Sequence, residues 1–311
     1  MTAANQRNEA KFHADRLTGI GGADAPVILG LSPFLTPLQL WAVKTGAIES
    51  ALNYDKLVGD SPQLEWGRKL EPLIVQAFCD RTKRAVTTRD EDAMMVHPTI
   101  PWLIGHVDAI QTLESGEQGV LEVKNVIVYK RHRWLDEAPI EAKIQLQHYL
   151  AVACLQLGSI AGLIGGFDFR WEDVERNQRF LDGLLEKEEK FWQYVQRNIP
   201  PPAEARDVKF LNTLIPVSPK KVVHFDQSWL AVDHQYSDTM KEIERVKGTL
   251  KPLEDLRDEI EAKIKLAMGD AEEAALPGGV TFTFKQVDRK AYEVKATSYR
   301  TLRRKGEQGN E

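Results

Sequence analysis

The sequence predicts an α/β fold in which a mixed central sheet is flanked by helices, followed by a small α+β C-terminal extension. Amphipathic helical stretches alternate with apolar, strand-like runs up to about residue 200, the pattern of a sheet that is covered by helices. A charged helix then stops at Pro200-Pro201-Pro202, which cannot continue it. The 311-residue length allows one or two domains, and the division falls best at 1–204 and 205–311.

Taken in order, Gly21-Gly22-Ala23-Asp24 reads as a turn into a short helix that ends near Leu29. Ser32-Pro33 reads as a cap, and Thr36-Pro37 opens the helix carrying Trp41. A helix from about Leu64 to Arg81 places Leu70, Leu73, Ile74, Ala77 and Phe78 on one stripe, with Pro72 either starting or kinking it. Trp66 and Trp102 read as core. Strands at about 103–113 and 119–128 flank Ser115-Gly116-Glu117, so a hairpin is the economical reading. A helix from Ile140 to about Leu157 ends at Gly158, a strand runs from Ile160 to Phe169, and the charged helix spans Val174–Arg197. Beyond the prolines come a strand-like patch at 221–225, a charged helix between about Asp238 and Met268, and a hairpin at 280–302. Lys285 to Lys305 holds eight basic and two acidic residues, a bias that the outer faces of charged strands would produce without any function.

Composition excludes several classes. With 42% apolar and 28% charged residues the chain is neither disordered nor fibrous. The net charge of −5 makes any nucleic-acid surface a local patch on an acidic body. Two cysteines, Cys79 and Cys154, supply no disulfide framework, no four-cysteine zinc site and no four-cysteine iron–sulfur cluster, and they suit a reducing bacterial cytosol. No apolar run reaches membrane-spanning length, and the polar N-terminus lacks the apolar core of a signal peptide, so a soluble, cytoplasmic protein is expected.

Chemistry concentrates between Gly105 and Asn125. Glu122 and Lys124 lie two apart on a predicted strand and project from one face, while the hairpin brings Asp108 near that face. A Glu-X-Lys pair on an exposed strand would be solvated and worth well under ~1 kcal/mol. Here the neighbours Val120, Leu121, Val123, Val126 and Val128 make the strand almost wholly apolar, and ionised groups within such a strand are rarely kept without partners or a task. Converging carboxylates offer hard oxygen ligands to Mg²⁺, which would polarise a phosphate and acidify an attacking water. A neighbouring ammonium would offset developing negative charge.

An upstream helix glutamate, then Asp, Glu-X-Lys and a helix with Gln resembles the PD-(D/E)XK nuclease arrangement and its restriction-endonuclease-like fold. More narrowly the chain is similar to the YqaJ-like viral recombinase family, which includes phage lambda exonuclease. The matching stretches are GIGGADAPVILGLSPFLTPLQLWAVKTG (19–46), GRKLEPLI (67–74), HPTIPWLIGHVD (97–108), LEVKN (121–125) and IQLQHYL (144–150), with FWQYVQRNIPPP (191–202) closing the domain. SYRTLRRK (298–305) is a looser match to the tail of phage-encoded members.

The resemblance implies Asp108 and Glu122 as metal carboxylates, the Val123 carbonyl as a further ligand, and Glu71 at a second metal or its water shell. Lys124 would position the nucleophilic water or stabilise the transition state, and Gln145 would reach a phosphate oxygen or that water. Gln145 and Tyr149, four apart, share a helix face. His148 reads instead as a packing or hydrogen-bonding residue. Arg16 corresponds to a basic residue that contacts the DNA terminus. Family members commonly have a serine where this chain has Ala23, which leaves strict dependence on a 5′-phosphate open; Ser32 is a nearby hydroxyl that is not aligned with it. Lys130, Arg131 and Arg133 are placed to neutralise backbone phosphates.

The implied activity is that of a Mg²⁺-dependent 5′-to-3′ exonuclease on linear double-stranded DNA. It would use two ions with Mn²⁺ as substitute, release 5′-mononucleotides and leave 3′ single-stranded tails for recombination. A homotrimeric ring and a single-strand annealing protein as partner are implied likewise. Two other readings stay open: a structure-specific or restriction-like endonuclease on the same core, and a non-catalytic DNA-end-binding adaptor. An iron–sulfur nuclease is disfavoured by the cysteine count.

Overall fold

A five-stranded sheet organises the first of two units into which the chain divides, Met1–Pro216 and Val217–Glu311. The computed structural model describes residues 11, 14–47, 62–88, 93–215, 218, 221–277, 279–287 and 302, with the backbone alone at 62–64. In chain order the first unit contains α1 (Ala25–Ile28), α2 (Pro37–Lys44), α3 (Pro62–Thr82), β1 (Ala85–Thr88), β2 (Met95–Val96), β3 (Ile104–Gly105), β4 (Ala109–Thr112) and β5 (Gln118–Val126). A 3₁₀ segment (Val128–Trp134), α4 (Ile140–Val152), β6 (Leu157–Ile164), β7 (Asp168–Glu175), α5 (Gln178–Gln196) and α6 (Val208–Leu214) complete it.

The strand order is β1-β4-β5-β6-β7, and only the β5–β6 pair is parallel. This is the mixed α/β architecture the sequence predicts. The parallel pair needs a crossover, which α4 supplies. Alternation along β5 sorts its side chains to two helices. On one side, Leu121 packs with Ala109, Ala161 and the α3 residues Ile74, Val75 and Phe78. On the other, Val120 and Val126 pack with Ile160, Ile164 and the α4 residues Ala142, Leu146 and Leu150. The even-numbered face, to which Glu122 and Lys124 belong, is therefore the α4 face.

Local signals place the smaller elements. Thr36 and Gln39 form the reciprocal cap of α2, with Pro37 at its first position. Pro72 is absorbed inside α3, which runs unbroken from Pro62 to Thr82. The Gly19–Asp24 turn docks on β3, where Ile20 donates to the Trp102 carbonyl at 2.7 Å and accepts from Ile104 at 3.0 Å.

Several expectations are corrected. The expected strand at 103–113 is two pieces, because β3 pairs with β2 whereas β4 pairs with β5, and Asp108 lies between them. Helix α4 stops at Val152; Cys154 adopts φ +55° and Gly158 is taken into β6. The expected strand at 160–169 is the end of β6 and the start of β7, joined through Gly165 and Gly166 at positive φ, and β7 occupies the expected beginning of α5. Asn177 caps α5 instead. Trp66 is 53% exposed rather than core, whereas Trp102 is partly buried against the α1–α2 region.

The first unit also extends past residue 204. Asp207 accepts from Thr36 at 2.5 Å, and Phe210 joins Trp41 and Phe191 in one apolar cluster, so these residues fold onto the first unit. In the second unit, 221–225 forms no strand, and a 40-residue helix, α7, spans Trp229–Met268. Its short hairpin joins β8 (Glu273–Ala275) to β9 (Thr281–Thr283) and so begins earlier than expected. Most of the expected hairpin and basic run lies outside the described residues. No helix among the described residues is long and apolar enough to cross a membrane.

Because Phe78 is fully buried between α3 and the sheet, Phe78→Ala should lower unfolding free energy by about 3–5 kcal/mol in urea titrations. A loss below about 1 kcal/mol would mean that α3 is not docked through this ring.

Candidate active site

The β4–β5 hairpin sets Asp108 just before β4 and Glu122 on β5, one step beyond the Ala109–Leu121 pair. The Asp108 carboxylate accepts the Val123 backbone N–H at 2.7 Å, which holds it beside the strand. Glu122 is 2% exposed. One of its oxygens meets the Lys124 ammonium at 2.5 Å, and the other is buried without any hydrogen-bond partner. Lys124 donates in turn to Gln145 Oε1 at 2.9 Å, and Gln145 Nε2 donates to the Tyr149 hydroxyl at 3.2 Å. Strand and helix periodicities thus place a chain Glu122–Lys124–Gln145–Tyr149 between β5 and α4.

Electrostatics mark the same spot. Burial is the main cause, and the charges of Glu122 and then Glu71 add to it, in pushing the Asp108 carboxyl well above its usual range. Glu71, half-buried on α3, is therefore within electrostatic reach of Asp108. Burial would depress the Lys124 ammonium, but Glu122 and Asp108 outweigh it and raise its pKa. Burial, then Glu122 and Asp108, push the Tyr149 hydroxyl well up, so it stays protonated as a donor.

A turn with its own buried charges closes over Tyr149. A Cβ on Gly22 would come 2.5 Å from the tyrosine ring, so only glycine permits this approach. Asp24 accepts from Lys44 at 2.6 Å, from Arg16 at 3.2 Å and from the Gly21 amide at 2.9 Å. Lys44 Nζ also donates to the carbonyls of Arg16 and Gly19. Burial would raise the Asp24 carboxyl, yet Lys44 and Arg16 hold it below its ordinary value. Arg16 is thereby fixed on the Tyr149 side of the site, close enough to act electrostatically on that hydroxyl.

The expected residues are distributed unevenly. Asp108, Glu122, Lys124, Gln145 and Tyr149 are brought together, with Glu71 and Arg16 at the margins. Ser32 is 7% exposed, and its hydroxyl accepts from the Phe34 and Leu35 amides, which makes it a turn former. Lys130 lies over the Phe34 ring at 5.2 Å, Arg131 pairs with Asp168 at 3.0 Å, and Arg133 grips Glu141 with both contacts at 2.8 Å. His148 is fully buried between Glu188 and the Ile104 carbonyl, each at 2.8 Å, in the hydrogen-bonding role expected of it. The sequence reading passed over Lys44, the buried counter-ion of Asp24. Its only signal was a lysine on an otherwise apolar helix, which a surface lysine also provides.

Among the described residues no three His, Cys, Asp or Glu side chains are arranged as a ready metal cage. The donors nevertheless fit a divalent cation. The half-buried Asp108 and the buried Glu122 repel one another, one Glu122 oxygen lacks a hydrogen-bond partner, and among the described residues Lys124 is the ammonium paired with them, which suits a hard ion preferring oxygen.

Residues 11–156 match the family model described as the YqaJ-like viral recombinase domain. The chain is 34% identical over 181 residues to the uncharacterised protein YqaJ of Bacillus subtilis (strain 168), an alignment covering 57% of this chain and 53% of that protein. The chain thus spans about half the length of this curated relative. Its fold is similar to that of an alkaline exonuclease from Laribacter hongkongensis, with TM-score 0.50 and 15% identity over 61% of this chain and 94% of that one. The same enzyme in complex with dAMP gives TM-score 0.49 and 16% identity over the same shares.

The carboxylate cluster has a linkage consequence. Because the folded Asp108 pKa lies above its unfolded value, this group supports folding below about pH 3.9, and that support is lost as pH rises through the raised value. In EDTA at pH 8, Asp108→Asn should therefore melt higher than the parent chain, and the difference should shrink toward pH 4. A parent chain that melts higher at pH 8 in EDTA would contradict the clustering.

Proposed function

We propose, from the match of residues 11–156 to the YqaJ-like viral recombinase domain model, that the chain is a Mg²⁺-dependent exonuclease acting on linear double-stranded DNA. The observation that carries the proposal is the meeting of Asp108 and Glu122, with one partnerless buried oxygen, beside a lysine held by a helix glutamine.

Asp108, Glu122 and the Val123 carbonyl would hold one ion, and Glu71 would serve a second ion or its water shell; Mn²⁺ would substitute. Bound there, the ions would polarise the scissile phosphate and lower the pKa of the attacking water. This chain's own residues supply the rest. The Lys124 ammonium, raised in pKa and hence charged, would orient the water and offset charge that develops on the phosphate. Gln145 fixes that ammonium and donates to Tyr149, and its amide would reach a phosphate oxygen or the attacking water. Arg16 would meet the DNA end, and Lys130, Arg131 and Arg133 would exchange their present partners for backbone phosphates, which needs no base recognition. Ser32, committed to its own turn, would bear on the end only by shaping that loop.

Degradation would run 5′ to 3′, release 5′-mononucleotides and leave 3′ single-stranded tails. A single-strand annealing protein would take up those tails. A homotrimeric ring around the duplex, in a phage- or prophage-encoded enzyme of the bacterial cytoplasm, belongs to the same proposal. Residues 1–204 would supply the nuclease chemistry, with 205–216 packed against it.

Linear duplex labelled separately at each end, with 5′-phosphate or 5′-hydroxyl termini, tests this directly. The 5′ label should be released only with Mg²⁺ or Mn²⁺, from both kinds of terminus because Ala23 offers no hydroxyl to read the phosphate. Lys124→Ala should slow release by about 10²-fold or more while DNA binding survives. First loss of the 3′ label would overturn the polarity, cleavage of closed circles would replace the exonuclease by an endonuclease, and binding without release at any metal level would leave a DNA-end adaptor.

A further inference from the structure

Helix α7 carries a heptad stripe that nothing within the described structure covers. Tyr236, Ile243 and Leu250 repeat every seventh residue, and Val246, Leu253 and Ile260 repeat on the adjoining line, three residues after the first. These six side chains stay between 40% and 64% exposed. The repeat continues from Val232 to Ile264, interrupted only by Thr239 and Arg257. A 3.5-residue period held for this long is the pattern of a two-stranded coiled coil, whereas a helix meant for solvent has no reason to keep it. Forty residues give a rod about 60 Å long.

The helix also lacks the means to stand alone. Gly248 and Pro252 interrupt its middle, and a proline inside a helix removes a backbone hydrogen bond and crowds the preceding turn. The i,i+3 and i,i+4 ion pairs along it are exposed and weak, and most helical stability in proteins comes from packing of an apolar face. Pro252 lies immediately before Leu253 and off the stripe, so its lost hydrogen bond is on the outer face, where a helix that curves around a partner is convex.

We propose that α7 pairs in parallel and in register with α7 of a second copy of this chain. Charge selects that occupant and that direction. In register, Glu242 of each copy faces Lys247 of the other across the seam, and no flanking position opposes like charges. Reversing one helix, centred so that the apolar lines still meet, instead sets Lys247 against Lys247 and Asp233 against Glu261. Glu242 and Lys247 are now engaged with Arg245 and Glu244 on their own helix, exposed pairs worth little and readily exchanged. Arg257 is the one charged residue in the seam. Its guanidinium bonds Asp258, so the methylene stem can lie in the seam while the charge stays outside. The pairing concerns the second unit alone and stands whether or not the first unit is a nuclease; if the proposed trimeric ring forms, the pairs would join chains of different rings.

Disulfide trapping in the full chain tests it, with Cys79 and Cys154 changed to serine. Under mild oxidation Leu253→Cys should link nearly all chains to a second copy, since facing seam positions fall within disulfide range, whereas Asp255→Cys on the outer face should not. Three results would overturn the proposal. Leu253→Cys chains that stay monomeric would remove the pair. Linking only in a chain with both Ile243→Cys and Leu253→Cys would make it antiparallel. Linking that stops at about two thirds of the chains would make it three-stranded. As a second arm, Leu250→Glu with Leu253→Glu should abolish α7-dependent association in sedimentation, and an unchanged sedimentation profile would likewise sink the pair.

Discussion

Negative charge that a folded protein would ordinarily keep apart is gathered at one place in this molecule. Asp108 and Glu122 are drawn together by a two-stranded ladder, Glu71 adds its field from α3, and the Lys124 ammonium pairs with Glu122. Removing a carboxylate from water costs several kcal/mol unless it is paired and hydrogen-bonded. The surroundings meet that cost only in part. The Val123 amide holds Asp108, Lys124 holds one oxygen of Glu122, and the other oxygen has nothing. A site left in this state favours a cation, and the rest of the first unit serves to keep it so.

The support is layered. Helix α4 contributes Gln145 and Tyr149, while Ala142, Leu146 and Leu150 pack it against the sheet. Tyr149 is then pressed by Gly22, whose turn is fastened to β3 and to the buried Asp24–Lys44 pair. His148, beside Tyr149 in sequence, locks the other side of α4 through Glu188 on α5. The chain therefore places satisfied polar groups around a centre with an unpartnered carboxylate oxygen.

Much of this was legible from residue types and spacing. The two-residue step from Glu122 to Lys124, the four-residue step from Gln145 to Tyr149 and the hairpin that returns Asp108 follow from strand and helix periods. Thr36-Pro37 announced α2 by cap chemistry alone. What escaped was set by tertiary partners. β7 alternates charged and apolar residues, its end at Val174-Glu175 reads equally as the start of α5, and only pairing with β6 decides. Gly158 looked like a helix stop because a glycine cannot announce that it will lie inside a strand. Lys44 gave no sign that it would be buried, and Asp207 none that it would reach back to Thr36. Ser32 and the arginines after β5 were read as available groups, yet local turn geometry and nearby acids engage them. Long-range ion pairs are invisible to a local reading.

The central claim is that the Asp108–Glu122 pair is a divalent-cation site, and diffraction would test it most directly. Crystals equilibrated with Mn²⁺ should show an anomalous peak within coordination distance of both carboxylates, with the Lys124 ammonium displaced from any oxygen the ion takes. An ordered Mn²⁺ elsewhere, with Lys124 still on Glu122 and the pair otherwise empty in an active preparation, would contradict it.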